Sequence, residues 1–149
     1  GQLSKFSLQL GSDCPYFIKG GVQIGKGRGE QLEPIHLDLK SFWVRIVNPG
    51  IHIGTGEAYK KAHKTLTPVA LEPILSQPVK NWVGKLYNDF QEPMESDFPE
   101  LFQLRKKLQG SGADYVSMSG SGSSYFAIYQ SEPTPISWPE HYVHFTVRF

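Results

Sequence analysis

The hydrophobic period of this chain changes twice, and that restricts its fold more than any other feature. Up to Val47, and again from Ala113 to Phe149, apolar residues tend to alternate with polar ones. Between Thr55 and Gln109 they recur at steps of three and four. Alternation places side chains on opposite faces of a strand, whereas steps of three and four build one stripe on a helix. A run of strands, then helices, then strands does not build a regularly alternating βαβ sheet. It predicts an α+β fold, a mainly antiparallel sheet with helices on one face.

The individual elements follow from local chemistry. Weak alternation over 21–25 and 31–39 flanks Gly25-Lys26-Gly27-Arg28-Gly29, which reads as two strands joined by a glycine turn. The aromatic and β-branched run from Phe42 to Val47 reads as a strand that stops at Asn48-Pro49-Gly50. Thr55 is expected to cap a helix over Gly56–Lys64, and Thr67-Pro68 to open another over Val69–Leu75. Val79, Trp82, Val83, Leu86, Tyr87 and Phe90 form a continuous stripe that predicts a helix from Val79 to Phe90. Leu101, Leu104 and Leu108 predict another from Pro99 to Gln109, ended by Gly110. Gln91–Pro99 and Ser131–Pro139, both proline-bearing, are expected to be loops. Ala113–Met118, Ser124–Tyr129 and Tyr142–Phe149 read as strands.

Composition narrows the classes of function. Hydrophobic residues make up 39% and aromatic residues 13% of 149 positions, enough to build a core. Fifteen basic against fourteen acidic side chains leave a net charge of +1, which gives no electrostatic reason to expect nucleic acid or an anionic membrane as partner. No apolar run reaches the roughly 18 residues of a membrane span, and no signal peptide is visible. Cys14 is the only cysteine, so no internal disulfide can form, which is consistent with a reducing cytoplasm. The five histidines show no pairing with each other or with Cys14 at metal-ligand spacing on a helix, so no metal site is assigned.

Four features could carry chemistry. Asp13, before Cys14-Pro15, reads either as the cap of a short helix or as a carboxylate able to take or orient a hydroxyl proton. Ser119-Gly120-Ser121-Gly122-Ser123 reads either as a plain strand-to-strand turn or as a loop turning backbone N–H groups toward an anion. Tyr59 reads as a packing residue or as a ring for stacking on a planar base. Gly25–Gly29, with Lys26 and Arg28, lacks the Gly-Lys-Ser/Thr ending of a Walker loop and reads as a charged hairpin turn.

Taken in order, four segments resemble the GHMP small-molecule kinases, within them the branch acting on a cytidine-diphosphate-linked methylerythritol. Leu10-Gly11-Ser12-Asp13-Cys14-Pro15-Tyr16-Phe17-Ile18-Lys19-Gly20-Gly21 is similar to that family's aspartate motif. Gly27-Arg28-Gly29-Glu30 resembles the Gly-x-Gly-Glu stretch that follows it. The segment from Asn48-Pro49-Gly50 to Tyr59 is similar to the family's run from a Pro-Gly turn to an aromatic residue. Met118 to Phe126 resembles its last glycine-rich motif.

The resemblance implies transfer of the γ-phosphoryl of ATP, with Mg²⁺, to the 2-hydroxyl of 4-diphosphocytidyl-2-C-methyl-D-erythritol, a step of non-mevalonate isoprenoid precursor biosynthesis. Asp13 would be the base or orienter of that hydroxyl. Tyr59 would stack on the cytosine, Thr55 and Gly56 would lie on the wall leading to it, and Ser119, Gly120, Ser121, Gly122 and Ser123 would line the cleft. The likeness starts at the aspartate motif. The family's opening motif, with a lysine and a second aromatic, and its Gly-Leu-Gly-Gly-Gly-Ser-Ser type phosphate loop have no counterpart here. The resemblance therefore implies a carboxy-terminal portion: residues 1–20 as the tail of the family's N-terminal domain and 21–149 as its C-terminal domain. As an isolated chain it would be inactive, with most ATP-binding residues outside it, and apolar surface around Leu3–Leu10 would favour self-association. The competing expectation is a non-catalytic α+β module that binds a nucleotide or a protein.

Overall fold

The structure is a computed structural model that describes residues 6, 9, 11, 14–27, 29, 31–62 and 70–149. The chain divides into two compact units, Gly1–Asp38 and Leu39–Phe149. In the first, helix α1 (Cys14–Lys19) is followed by an antiparallel hairpin of β1 (Gln23–Lys26) and β2 (Gln31–Pro34). The predicted hairpin is present, with its second strand shorter than the alternation suggested. Lys26 and Glu33 form an exposed ion pair across it at 2.6 Å.

The second unit is built on a four-stranded antiparallel sheet. Its strands are β3 (Trp43–Asn48), β4 (Tyr115–Met118), β5 (Tyr125–Tyr129) and β6 (Val143–Arg148), in the order β4-β5-β3-β6. Register fixes what each face carries. Val47 opposes Tyr125, Tyr125 opposes Met118, and Arg45 lies between Ala127 and Thr146. These residues therefore share one face, and helices cover it. Helix α2 (Thr55–Lys61) contributes Ala58, α4 (Gln91–Asp97) contributes Met94, and α5 (Pro99–Gln109) contributes Leu101, Leu104 and Leu108; all are buried in one core with Val47, Met118, Tyr125 and Ala127. The short helix α3 (Leu71–Leu75) precedes a 3-10 turn at Val79–Trp82. The α+β architecture expected from the sequence is thus the one observed. On the opposite face, Trp82 packs edge-on against Tyr115 at 5.7 Å, whereas Phe145 and Val147 of the edge strand β6 remain exposed. Among the described residues no helix is long and apolar enough to cross a membrane.

Helix α5 occupies the predicted residues because its signals are all local: proline in the first turn, leucines at steps of three and four, and glycine as the cap. Three expectations need correction. The stripe from Val79 to Phe90 does not form a helix; only the 3-10 turn Val79–Trp82 is helical. Gly84 adopts φ +74°, a conformation that ends a helix at little cost for glycine alone. Beyond it Asn88 spends its side chain on the backbone of residues 118 and 120 and accepts from its own neighbour Phe90. An asparagine that bonds backbone groups in this way competes with the helix. The stripe is also not one buried face, since Trp82 is buried while Val83 and Tyr87 are exposed.

The second correction concerns Gln91–Pro99, read as a loop, which holds α4 at Gln91–Asp97. Pro93 falls in the first turn, where its missing N–H would have had no helical acceptor, so it does not oppose the helix. The third concerns Thr55. It is the first residue of α2, the cap position falls on Gly54 without a side-chain cap bond, and the helix ends at Lys61 rather than Lys64. Thr67-Pro68 lies outside the described residues; the element beyond it, α3, runs from Leu71 to Leu75.

Candidate functional site

In the second unit, one group of predicted residues does come together. The turn Ser119–Ser123 joins β4 to β5 and is held from three sides. Inside it, Ser119 N–H donates to Ser124 O at 2.8 Å and Gly122 N–H to Ser119 O at 3.0 Å. From the helical side, Asn88 Nδ2 donates to Met118 O at 2.9 Å and Gly120 O at 2.7 Å. From the β3 side, Asn48 Nδ2 donates to Ser124 Oγ at 3.0 Å, and Ser123 Oγ donates to Ile51 O at 2.6 Å. Thr55 Oγ1 and Ser121 Oγ lie 3.4 Å apart, so the loop abuts the first turn of α2.

The loop is fixed most tightly at Gly122. Its φ is +98°, and a Cβ there would meet Ile53 Cδ1 at 2.9 Å and Met118 Sδ at 3.0 Å. Both the conformation and the space select glycine. Gly122→Ala is expected to lower unfolding free energy by about 2–3 kcal/mol in urea titration, from left-handed strain and overpacking together. A loss below about 0.5 kcal/mol would show that the loop is loosely held.

Tyr59 lies on α2, one turn beyond Thr55, and is 67% exposed. Its ring meets Phe90 edge-on at 4.9 Å, which orients it without burying it. The helix is anchored by buried Ala58 and by Lys61, whose Nζ bonds Asp97 Oδ2 on α4 at 2.5 Å. That carboxylate raises the lysine's pKa. Thr55 and Gly56 are exposed at the start of α2. Asp13, the predicted catalytic carboxylate, lies outside the described residues. The apolar stretch proposed to favour self-association, Leu3–Leu10, is described only at Phe6 and Gln9. Among the described residues no group of three or more His, Cys, Asp or Glu side chains could hold a metal ion.

Sequence reasoning missed the residues that hold these groups in place. Asn48 and Asn88 both precede turns, and each uses both ends of its side-chain amide: besides the Nδ2 bonds above, the Oδ1 of Asn48 accepts Gly50 N–H at 2.7 Å and that of Asn88 accepts Phe90 N–H at 2.9 Å. The Asn48-Pro49-Gly50 signal marked the first as a turn but not as a tether to the loop. Behind the loop a buried polar network also escaped notice. Glu95 on α4 accepts both Nε and Nη2 of Arg105 at 2.6 Å and the Tyr125 hydroxyl at 2.7 Å. Burial and the adjacent Glu95 carboxylate push the Tyr125 phenol far above its ordinary pKa, so it stays a donor. Glu95 and Arg105 also line a cavity of about 660 Å³ with Tyr87, Asn88 and Phe102.

Comparison with known proteins adds an independent finding. Residues 76–136 match the family described as GHMP kinases C terminal. A 4-diphosphocytidyl-2-C-methyl-D-erythritol kinase of Azobacteroides pseudotrichonymphae is 40% identical over 91% of this chain and 51% of its own length. One from Porphyromonas gingivalis is 36% identical over 89% of this chain and 49% of its own. A crystal structure of 4-(cytidine 5'-diphospho)-2C-methyl-D-erythritol kinase superposes with a TM-score of 0.70 at 29% identity, covering 84% of this chain and 47% of that one. The chain spans about half the length of the curated relatives it matches.

Proposed function

We propose, on the premise that this chain carries the C-terminal domain of the GHMP kinases, that it supplies one wall of a small-molecule kinase active site. The reaction is phosphorylation of the 2-hydroxyl of 4-diphosphocytidyl-2-C-methyl-D-erythritol. ATP supplies the γ-phosphoryl group and Mg²⁺ neutralises its charge. Most ATP contacts are assigned to the complementary half of the enzyme, because the family's glycine-rich phosphate loop has no counterpart in this sequence. This half is expected to be inactive without that complement. Phosphoryl transfer depends mainly on positioning and charge stabilisation, so a wall of fixed groups is a useful contribution.

The observation that carries this reading is the junction of the Ser119–Ser123 loop with the first turn of the helix that bears exposed Tyr59. Asp13 accepts or orients the substrate hydroxyl proton. Tyr59 offers a ring face to the cytosine, and Thr55 and Gly56 line the approach to it. The loop borders the cleft, held in shape by Asn48 and Asn88.

The test pairs this chain with the other half of the Azobacteroides relative and follows phosphoryl transfer from ATP. In that assembly Tyr59→Ala is expected to raise KM for the cytidine substrate roughly tenfold or more, with kcat changed much less, because base stacking contributes about 1–3 kcal/mol. If the pairing yields no turnover while the chain alone binds cytidine diphosphate, a non-catalytic binding module takes its place. An unchanged KM removes Tyr59 from the base site.

A further inference from the structure

Arg45 lies toward the opposite end of β3 from the loop just described, and only 4% of it is exposed. Its Nε donates to Thr146 Oγ1 at 3.1 Å and its Nη2 to Thr134 O at 2.8 Å. The guanidinium carbon stands 5.5 Å from the centre of the Tyr129 ring. All three partners are neutral. Among the described residues no carboxylate forms an ion pair with Arg45, and Nη1 is buried with no acceptor. A guanidinium keeps its charge at any physiological pH, so this is a buried cation without a counter-charge. Arginines withdrawn from solvent normally sit against a carboxylate, as half-buried Arg105 does here with Glu95.

Arg45 also forms part of the wall of a cavity of about 400 Å³, together with Trp43, Trp138, Ile136, Pro135 and His144. The cavity therefore combines one unneutralised cation with apolar and aromatic side chains. Glu132, the single carboxylate in the wall, is exposed and makes no ion pair with Arg45. The covering segment 132–139 has no regular secondary structure and reaches the guanidinium through the Thr134 carbonyl.

We propose that this cavity binds a small organic oxyanion, a carboxylate or phosphate carried on an apolar or aromatic body. The oxyanion neutralises Arg45 and takes the Nη1 donor as the 132–136 segment yields, while the body lies against Trp138, Trp43 and Ile136. The cavity shares no lining residue with the groups proposed for the kinase cleft, and failure of binding there would leave that reading untouched.

Benzoate and phenyl phosphate titrated into this chain, with benzamide as the neutral control, test it through the tryptophan indole N–H resonances. Trp43 and Trp138 line the cavity, and Trp82, on the other face, serves as the internal reference. The expected result is a saturable shift of Trp43 and Trp138 with at least one of the two anions, no shift of Trp82, and at least about tenfold weaker binding of benzamide. The two anions separate a carboxylate site from a phosphate site. Arg45→Gln should weaken binding about tenfold or more. Trp138→Ala, at a half-buried position outside the strands, should weaken it several-fold when read at Trp43, with the Trp82 resonance unchanged as the check on folding. The proposal is overturned if neither anion gives saturation up to about 50 mM, a concentration well above any specific affinity. It is equally overturned if benzamide binds as well as the anions, or if Trp138→Ala binds benzoate unchanged.

Discussion

Asp13→Asn, placed in a kinase reassembled from this chain and its complementary half, is expected to cut kcat by about 10²–10⁴-fold, the usual contribution of a positioned general base. KM for the cytidine substrate should move only a few-fold, since the role proposed for the carboxylate is at the reacting hydroxyl rather than at the base. The substitution is informative because asparagine caps a helix about as well as aspartate. Where Asp13 serves as that cap, the start of α1 at Cys14 is preserved, and an unchanged urea midpoint separates lost chemistry from lost folding. Steady-state assays of ATP-dependent phosphorylation measure both constants. Turnover within threefold of the parent would remove Asp13 from the chemistry, whatever the rest of the chain does.

Glu95→Ala is expected to be the most destabilising single change in the second unit. The Glu95 side chain is 8% exposed and serves two partners at once, the Arg105 guanidinium and the buried Tyr125 hydroxyl. Removing it leaves a cation short of its counter-charge and a phenol without an acceptor. Breaking one partner of a buried pair costs about 3–5 kcal/mol, a large share of the ~5–15 kcal/mol that holds a domain folded. Urea denaturation of the chain measures the loss. Glu95→Gln should cost less than alanine, because an amide oxygen in the Oε1 place still accepts from Tyr125 and Arg105 Nε, although the charge and the acceptor for Arg105 Nη2 are lost. If Glu95→Ala unfolds at the parental midpoint, the network contributes nothing net and serves only to shape the cavity beside it.

The sheet face, the helical layer and the loop each show where local sequence suffices. Strands β4, β5 and β6 lie inside the predicted runs and β3 extends one residue past its own, to Asn48, because alternation over four to eight residues is written in the residues themselves. The leucines of α5 sit on one face for the same reason. Gly122 could be read as a turn residue, but the side chains that make it indispensable, Ile53 and Met118, come from other segments. The misread stretch from Val79 to Asp97 shows the limit. Periodicity favoured a helix where Gly84 and Asn88 forbid one, and prolines suggested a loop where α4 forms.

By itself, the amino-acid sequence determined the α+β order of elements, the family likeness, and the identity of Tyr59, Thr55 and the serine-glycine loop as candidates. Those signals reside in windows of about fifteen residues or fewer, which is the reach of helical and strand periods. Only the tertiary structure decided that Asn88 would grip Met118 at the entrance to the loop 30 residues ahead, that Glu95 would meet Tyr125 across the same span, and that Arg45 would turn inward against Thr146, 101 positions away. Such partners are chosen by chain closure and strand register. Whether a charged or polar side chain is buried, paired or left waiting for a ligand depends on neighbours that no local window contains.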